Sequence, residues 1–157
     1  MYVRKLNIEN EYGDSVFLWG ARQTGKTTWL VSQFPNCRYY DLLRPSEFER
    51  LLRRPELLSE ELENFGSEDT VVIDEIQKLP QLLDEVHHLI QRKGIRFILS
   101  GSSARKLKRL GTNLLGGRAT REQMYPLVSG EILDFDLERA INNGMIPRHY
   151  MVQNPLQ

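Results

Sequence analysis

Eight residues near the amino terminus constrain the fold of this chain more than any other feature. Gly20–Thr27 reads Gly-Ala-Arg-Gln-Thr-Gly-Lys-Thr, which is the G-x-x-x-x-G-K-T spacing of a phosphate-binding P-loop. The glycines let the backbone curl so that successive N–H groups point at phosphate oxygens, and a helix begins where the loop ends. Apolar residues at Val16–Trp19 and Thr27–Val31 flank the loop. The sequence therefore predicts a buried strand, the loop and a helix in that order.

The loop also predicts individual binding roles. The Lys26 ammonium would reach the β- and γ-phosphates, and the Thr27 hydroxyl would ligate Mg²⁺. Arg22 and Gln23 would contribute backbone donors rather than side chains. The residues predicted to contact phosphate are Gly20, Ala21, Arg22, Gln23, Thr24, Gly25, Lys26, Thr27 and Thr28.

A second motif, Val71-Val72-Ile73-Asp74-Glu75, follows about fifty residues later. Three apolar residues predict a buried strand that delivers two carboxylates at its carboxyl end, the edge where open parallel sheets bind ligands. Asp74 fits a direct or outer role at Mg²⁺, since this hard cation prefers oxygen ligands. Glu75 is placed to orient and deprotonate an attacking water, which favours hydrolysis over transfer of phosphate to another substrate.

Strand-like and helix-like segments alternate along the chain, which predicts a parallel sheet with helices on both faces. The water-activating carboxylate indicates the P-loop class in which another strand separates the P-loop strand from the Asp strand. We therefore predict an α/β P-loop NTPase fold of three layers, with five parallel strands in the order 5-1-4-3-2. The predicted strands are Val16–Gly20, Arg38–Asp41, Thr70–Asp74, Arg96–Ser100 and Arg121–Leu127.

Residues 1–134 are predicted to form the P-loop domain, and 135–157 a carboxyl-terminal arm or the truncated start of a second domain. Within this tail, Asp136–Ile141 predicts a short helix, whereas Pro147 predicts an interruption of regular structure. Ser46 and Glu49 predict a capping box for the second helix. The predicted helices are Lys26–Gln33, Ser46–Arg53, Glu56–Asn64, Leu82–Arg92 and Ala104–Leu110, with a short one after Ser129.

Three further residues have both a catalytic and an ordinary interpretation. Ser102 and Ser103 follow a predicted strand and would hold the attacking water or sense the γ-phosphate, although serines there also cap helices. Arg118 follows two glycines and would stabilise charge on the γ-phosphate, in cis or across a subunit interface, unless it is a surface arginine. Trp19 and Trp29 are predicted to belong to the core.

The composition excludes several other classes. Cys37 is the single cysteine, so the chain has no internal disulfide or cysteine-rich metal site. No apolar run reaches the length of a membrane span, and the first residues lack a secretion signal, which predicts a cytoplasmic protein. The net charge is zero, but Arg92–Arg121 contains lysines and arginines without Asp or Glu. That stretch is a solvated face, a surround for polyphosphate or a nucleic-acid contact.

Taken together, these motifs resemble the AAA-type P-loop ATPases of bacteria and archaea, which usually carry a second, carboxyl-terminal domain of unknown function. The resemblance spans roughly Gly13 to Leu133, and the second domain is missing here. It implies an ATP-binding core, an ATPase activity, adenine as the base and a functional role for Arg118. The matching segments are Gly20–Thr27, Tyr39–Leu43, Val72–Lys78, Gly101–Arg105, Gly117–Ala119, and Tyr125–Leu127 before Glu131.

The sequence thus predicts a domain that binds Mg·ATP and hydrolyses it slowly, as a switch or an energy module. One alternative is a P-loop kinase of a small molecule, which the Glu75 argument disfavours. The other is a non-catalytic module that binds nucleic acid through the basic stretch. A protein partner, or the missing domain itself, would receive the output of hydrolysis.

Overall fold

The fold was analysed in a computed structural model that describes residues 2–8, 14–102 and 115–152. One sheet of five parallel strands lies at its centre, in the order β2-β3-β4-β1-β5. Read from β5 to β2, this is the predicted order 5-1-4-3-2. The predicted α/β P-loop NTPase fold is therefore confirmed. The strands are β1 (Ser15–Trp19), β2 (Arg38–Asp41), β3 (Thr70–Asp74), β4 (Arg96–Gly101) and β5 (Ala119–Gln123).

Helices cover both faces of the sheet. Alternate residues of a strand point to opposite faces, and β1 is buried along its whole length. Phe17 packs into a cluster with the helices at 45–53, 57–61 and 82–93, whereas Val16 and Leu18 pack with Trp29 and Leu30 of the helix that follows the P-loop. The α-helices are α1 (Lys26–Gln33), α2 (Pro45–Arg53), α3 (Leu57–Glu61), α4 (Leu82–Lys93), α5 (Leu137–Asn143) and α6 (Pro147–Met151).

Several predicted boundaries differ from the observed ones. The second helix begins at Pro45 after Arg44, and no side chain caps it, so the predicted capping box is wrong. Proline at the first helical position needs no hydrogen-bonded N–H, which moves the start of the helix one residue earlier. The last strand ends at Gln123 instead of Leu127. The predicted helix 104–110 lies outside the described residues. Short 3-10 helices occur at Ile76–Lys78, Leu115–Gly117 and Ser129–Glu131.

The tail folds back onto the rest of the chain. Pro147 begins α6 rather than interrupting regular structure, so that prediction is wrong, for the same reason as at Pro45. Tyr150 of α6 is buried with Leu127 and Ile132 in a small third cluster, against which Tyr2 also packs. The amino-terminal segment and α6 therefore pack into the same cluster, while the division at residue 134 stays a prediction. Among the described residues, no helix combines the length and the apolar character needed to cross a bilayer.

Gly20 directly follows β1 and lies between Gly101 at the end of β4 and Met124 just after β5. Its N–H donates to the Gly101 carbonyl at 3.2 Å, and the Met124 N–H donates to the Trp19 carbonyl at 2.7 Å. A Cβ at Gly20 would lie under 3.0 Å from the Met124 carbonyl oxygen, which is backbone and cannot swing aside. The junction between strand and P-loop therefore excludes any side chain at this position.

We expect Gly20→Ala to destabilise the fold by about 1–3 kcal/mol, because the strands must separate to admit one methyl group. Urea unfolding followed by circular dichroism would measure the change. Gly66→Ala is the matched control, since a Cβ there meets nothing within 4 Å, and it should change the free energy of unfolding by less than about 0.5 kcal/mol. Equal effects of the two substitutions would contradict the packing argument.

Candidate nucleotide-binding site

Three neighbouring strands deliver polar groups to one edge of the sheet. Trp19 pairs with Gly101, and Ile73 pairs with Leu99, so β1, β3 and β4 reach the same level at their carboxyl ends. At or directly after those ends come the P-loop, Asp74 and Ser102, all of which were predicted as parts of the site. The parallel arrangement thus brings groups together that lie far apart in the sequence.

The P-loop turns sharply through two residues with positive φ. Gln23 has a φ of 67° and Gly25 a φ of 91°, and Gly25 caps the amino end of α1. Alternation of such left-handed residues with ordinary ones makes a concave backbone whose N–H groups converge, which favours an anion. Thr24 is fully buried, and its hydroxyl donates to the Ala21 carbonyl at 2.9 Å, which braces the turn.

Lys26 is buried at the base of the loop. Its ammonium donates to the carbonyls of Gly20 at 2.7 Å and Ala21 at 3.0 Å. Burial lowers the pKa of Lys26, and the nearby carboxylates of Glu75 and Asp74 act in the opposite direction. The positive charge therefore lies where an anion with several charges would stabilise it further.

Asp74 is buried and accepts hydrogen bonds from three hydroxyl groups. Thr27 donates to its Oδ2 at 2.7 Å and Tyr39 to the same oxygen at 2.8 Å, while Ser100 donates to Oδ1. Burial and the charge of Asp74 raise the pKa of Tyr39, so its hydroxyl stays protonated as a donor. Tyr39 was missed as a site residue, although it opens one of the segments that carried the family resemblance. The predicted cation ligands Thr27 and Asp74 are thus in direct contact.

Glu75 follows β3 in a left-handed conformation with a φ of 60°. Gln77 donates through Nε2 to Glu75 Oε2, and also to the Ser102 hydroxyl oxygen at 3.1 Å. Ser102 Oγ lies 3.3 Å from Glu75 Oε2, to which it donates. The predicted base and one of the two predicted sensor serines are therefore linked, and Ser103 lies outside the described residues.

A cleft of about 650 Å³ opens between the loop and α6. Glu75 borders it from the β3 side, and Arg148 borders it from α6. Arg148 was missed because nothing near it in the sequence resembles a binding motif, and only the folding of the tail brings it to the cleft. The P-loop residues that line the cleft are Arg22, Gln23, Gly25, Lys26, Thr27 and Thr28.

A second cavity of about 200 Å³ adjoins the cleft and shares several wall residues with it, Arg148 among them. Trp29 is buried, as predicted, and also borders this cavity. The cavity combines apolar and aromatic side chains with a few polar groups, which is the usual character of a ligand pocket. Its walls include Tyr2, Arg4, Thr28, Trp29, Leu127 and Met151.

Arg118 is not brought to the cleft. It precedes β5, whose first residue pairs with Ser15 at the beginning of β1. At about 3.3 Å per residue, the five positions from Ser15 to Gly20 place it about 15 Å or more from the P-loop. Its Nη1 lies 2.9 Å from Nε2 of His87 on α4. Arg118 thus lies at the amino ends of the strands, whereas the cleft lies at their carboxyl ends.

The described part of the basic stretch is largely engaged within the chain. Lys93 donates to the carbonyls of Leu62 and Glu63, and Arg96 donates to those of Ile8 and Asp14. These cations hold loops and the amino-terminal segment in place. The lysines and arginines between 105 and 109 lie outside the described residues.

A family model described as "AAA domain" matches residues 13–133. The curated proteins contain no significant match. Among solved structures, the chain is similar to the ORC2 protein of Aeropyrum pernix, whose structure was determined in ADPNP–ADP complexes, with 17% sequence identity and a TM-score of 0.46. That similarity covers 76% of this chain and 44% of the other, so the chain spans less than half of that relative's length.

Proposed function

Because the chain belongs to the AAA domain family, we propose that it binds Mg·ATP in the P-loop cleft and hydrolyses it slowly to ADP and phosphate. The observation that carries this proposal is the contact between Thr27 and the buried Asp74 at 2.7 Å, with Glu75 beside it at the cleft. This contact joins the P-loop to the carboxylate pair, the two motifs that nucleotide hydrolysis needs together.

The phosphates would lie against the loop N–H groups and the amino end of α1, where the helix dipole favours negative charge. The Lys26 ammonium would exchange its two carbonyl partners for phosphate oxygens, which are stronger acceptors because they are charged. Arg148 would contribute a second cation from the opposite wall. The cleft thus has positive groups on both sides for a polyphosphate.

The residues present fit a magnesium ion. The Thr27 hydroxyl donates its hydrogen to Asp74, so its oxygen lone pairs can accept a cation at the cleft. Asp74 is buried behind Thr27 and would act through that hydroxyl or through water held at the ion. Bound there, Mg²⁺ would neutralise charge on the β- and γ-phosphates.

Glu75 would serve as the base. As the water oxygen bonds to the γ-phosphorus, the bond from that phosphorus to the β–γ bridging oxygen breaks, and ADP leaves with the electron pair. The water proton passes to the Glu75 carboxylate and then to the released phosphate. Ser102 would contact the γ-phosphate or the water, and Ser103 keeps the same proposed role from sequence alone.

The base of the nucleotide would occupy the second cavity. Trp29 and Tyr2 offer aromatic surfaces for a planar ring, and Thr28 offers a hydroxyl at the boundary with the phosphate cleft. This placement connects the two cavities through their shared wall, with the ribose between them. Adenine is proposed from family membership.

Arg118 would act on the site of a neighbouring copy, since its position at the far edge of the sheet separates it from the cleft of its own chain. A protein partner or a further domain following residue 134 would receive the output of hydrolysis. The cytoplasmic location stays a prediction from the sequence.

Calorimetric titration with ATP, GTP and ADP, each with and without Mg²⁺, tests the proposal. We expect ATP to bind with micromolar affinity, more tightly with Mg²⁺ and more tightly than GTP, and phosphate release to follow in an enzymatic assay. A phosphorylated small molecule in place of free phosphate would favour the kinase alternative. Absence of nucleotide binding, together with salt-sensitive binding of DNA or RNA, would replace the proposal with the nucleic-acid module.

A further inference from the structure

Gln77 is a buried polar residue that contacts two residues of the site but has no role in the proposed function. It lies in the short 3-10 helix Ile76–Lys78, and its side chain is buried between the ends of β3 and β4. A Cβ at Gly101 would lie under 3.0 Å from Gln77 Oε1 and from the Trp19 ring. The absence of a side chain at position 101 is therefore what admits the Gln77 carboxamide.

The Gln77 carboxamide makes its contacts through its N–H groups. Its two Nε2 hydrogens match two acceptors, Glu75 Oε2 and Ser102 Oγ. Its Oε1 is buried without a partner among the described residues, which costs free energy that an apolar side chain of similar size would avoid. The two donated hydrogen bonds, rather than the filling of space, are therefore what the carboxamide contributes here.

Ser102 has one hydroxyl hydrogen, and in this structure it is directed at Glu75, 3.3 Å away. If that hydrogen is donated to a γ-phosphate oxygen instead, Glu75 Oε2 loses one of its two donors. The Ser102 oxygen continues to accept from Gln77 Nε2 throughout. Gln77 thus holds the Ser102 oxygen and the Glu75 carboxylate at a fixed separation while the Ser102 hydroxyl changes its acceptor.

We propose that Gln77 is a positioning residue that links Ser102 to Glu75, so that Glu75 loses one hydrogen-bond donor, and becomes a better proton acceptor, when the Ser102 hydroxyl turns to a γ-phosphate. This inference rests on the proposed function. The amide does not touch the nucleotide, and it acts through the two groups that do. ADP, which lacks the γ-phosphate, would leave the serine bonded to Glu75.

Steady-state hydrolysis by Gln77→Leu gives the first test. We expect kcat to fall by about 10- to 100-fold, the loss that follows a displacement of about 1 Å of a catalytic group, while the Kd for ATP stays within about twofold. Gln81→Leu makes the same chemical change at an exposed position and should retain the parent kcat. An unchanged kcat in Gln77→Leu, or a parallel loss of ATP affinity and stability, would overturn the inference.

Nuclear magnetic resonance gives a readout that does not depend on turnover. The side-chain amide pair of Gln77 is identified as the pair lost in Gln77→Leu. We expect it to shift on addition of Mg²⁺ and a non-hydrolysable ATP analogue but not of Mg·ADP, and Ser102→Ala should abolish the shift. If calorimetry shows that the analogue binds and the amide pair does not move, the inference fails while the proposed nucleotide binding stands. If the analogue does not bind, the proposed function fails first.

Discussion

Lys26→Ala should remove detectable ATP binding, with an affinity loss of about 100-fold or more. The substitution deletes a buried ammonium that would make charge-assisted hydrogen bonds to phosphate, each worth about 1.5–3 kcal/mol. Lys26 is the buried cation at the base of the loop, and the other phosphate contacts proposed there come mainly from backbone N–H groups. Calorimetry measures the loss directly. Thermal unfolding supports it, since ATP at 100 times its Kd stabilises the parent by about 2.7 kcal/mol.

The control must separate ligand binding from folding, because Lys26 also donates to the Gly20 and Ala21 carbonyls. Lys93 is a matched lysine, as it also donates to two main-chain carbonyls but at a distance from the cleft. Lys93→Ala should bind ATP like the parent even if its unfolding temperature falls. Retention of micromolar affinity by Lys26→Ala would show that the loop does not hold the phosphates.

Glu75→Gln should bind Mg·ATP like the parent and lose hydrolysis by about 100-fold or more, the usual contribution of a general base. The amide has the same shape and keeps an oxygen that can accept from Gln77 and Ser102, so the surrounding contacts survive. It cannot accept the proton of the attacking water. Single-turnover release of phosphate, measured beside the Kd, separates the two effects.

Glu68→Gln serves as the control for this substitution, since Glu68 is exposed just before β3, at the amino ends of the strands and away from the cleft. Its phosphate release should equal that of the parent. Hydrolysis by Glu75→Gln at the parent rate would assign the base to another residue. A joint loss of binding and hydrolysis would instead make Glu75 a structural residue of the cleft.

The sheet and the centre of the site were predictable because their signals are local. A short apolar strand, a glycine loop and a helix occur consecutively at Ser15–Gln33, and Asp74 directly follows its own apolar run. The spacing of each motif indicates which residues bind phosphate and which bind the cation. The strand order was then inferred from the hydrolysis that the motifs indicate.

The rest of the site depends on packing that no local pattern encodes. Tyr39 is one polar aromatic in an edge strand, and Arg148 is one cation in a tail whose prolines suggested irregular structure. Each gains its position only when distant strands or helices are in place. The misplaced start of α2 has a similar origin, since Pro45 and Ser46 are both acceptable first residues and the surrounding chain decides between them.

The third cluster, formed by Leu127, Ile132 and Tyr150, has a consequence for the lifetime of a bound nucleotide. It is far smaller than the clusters on the two faces of the sheet, and α6 with Arg148 is held at the cleft through it. Elements with few buried apolar contacts open locally at low free-energy cost. Detachment of this tail would open one wall of the cleft for the proposed exchange of ADP for ATP, while the strands and the loop stay folded. The residence time of the product would then be set by α6, far in sequence from the P-loop and Glu75.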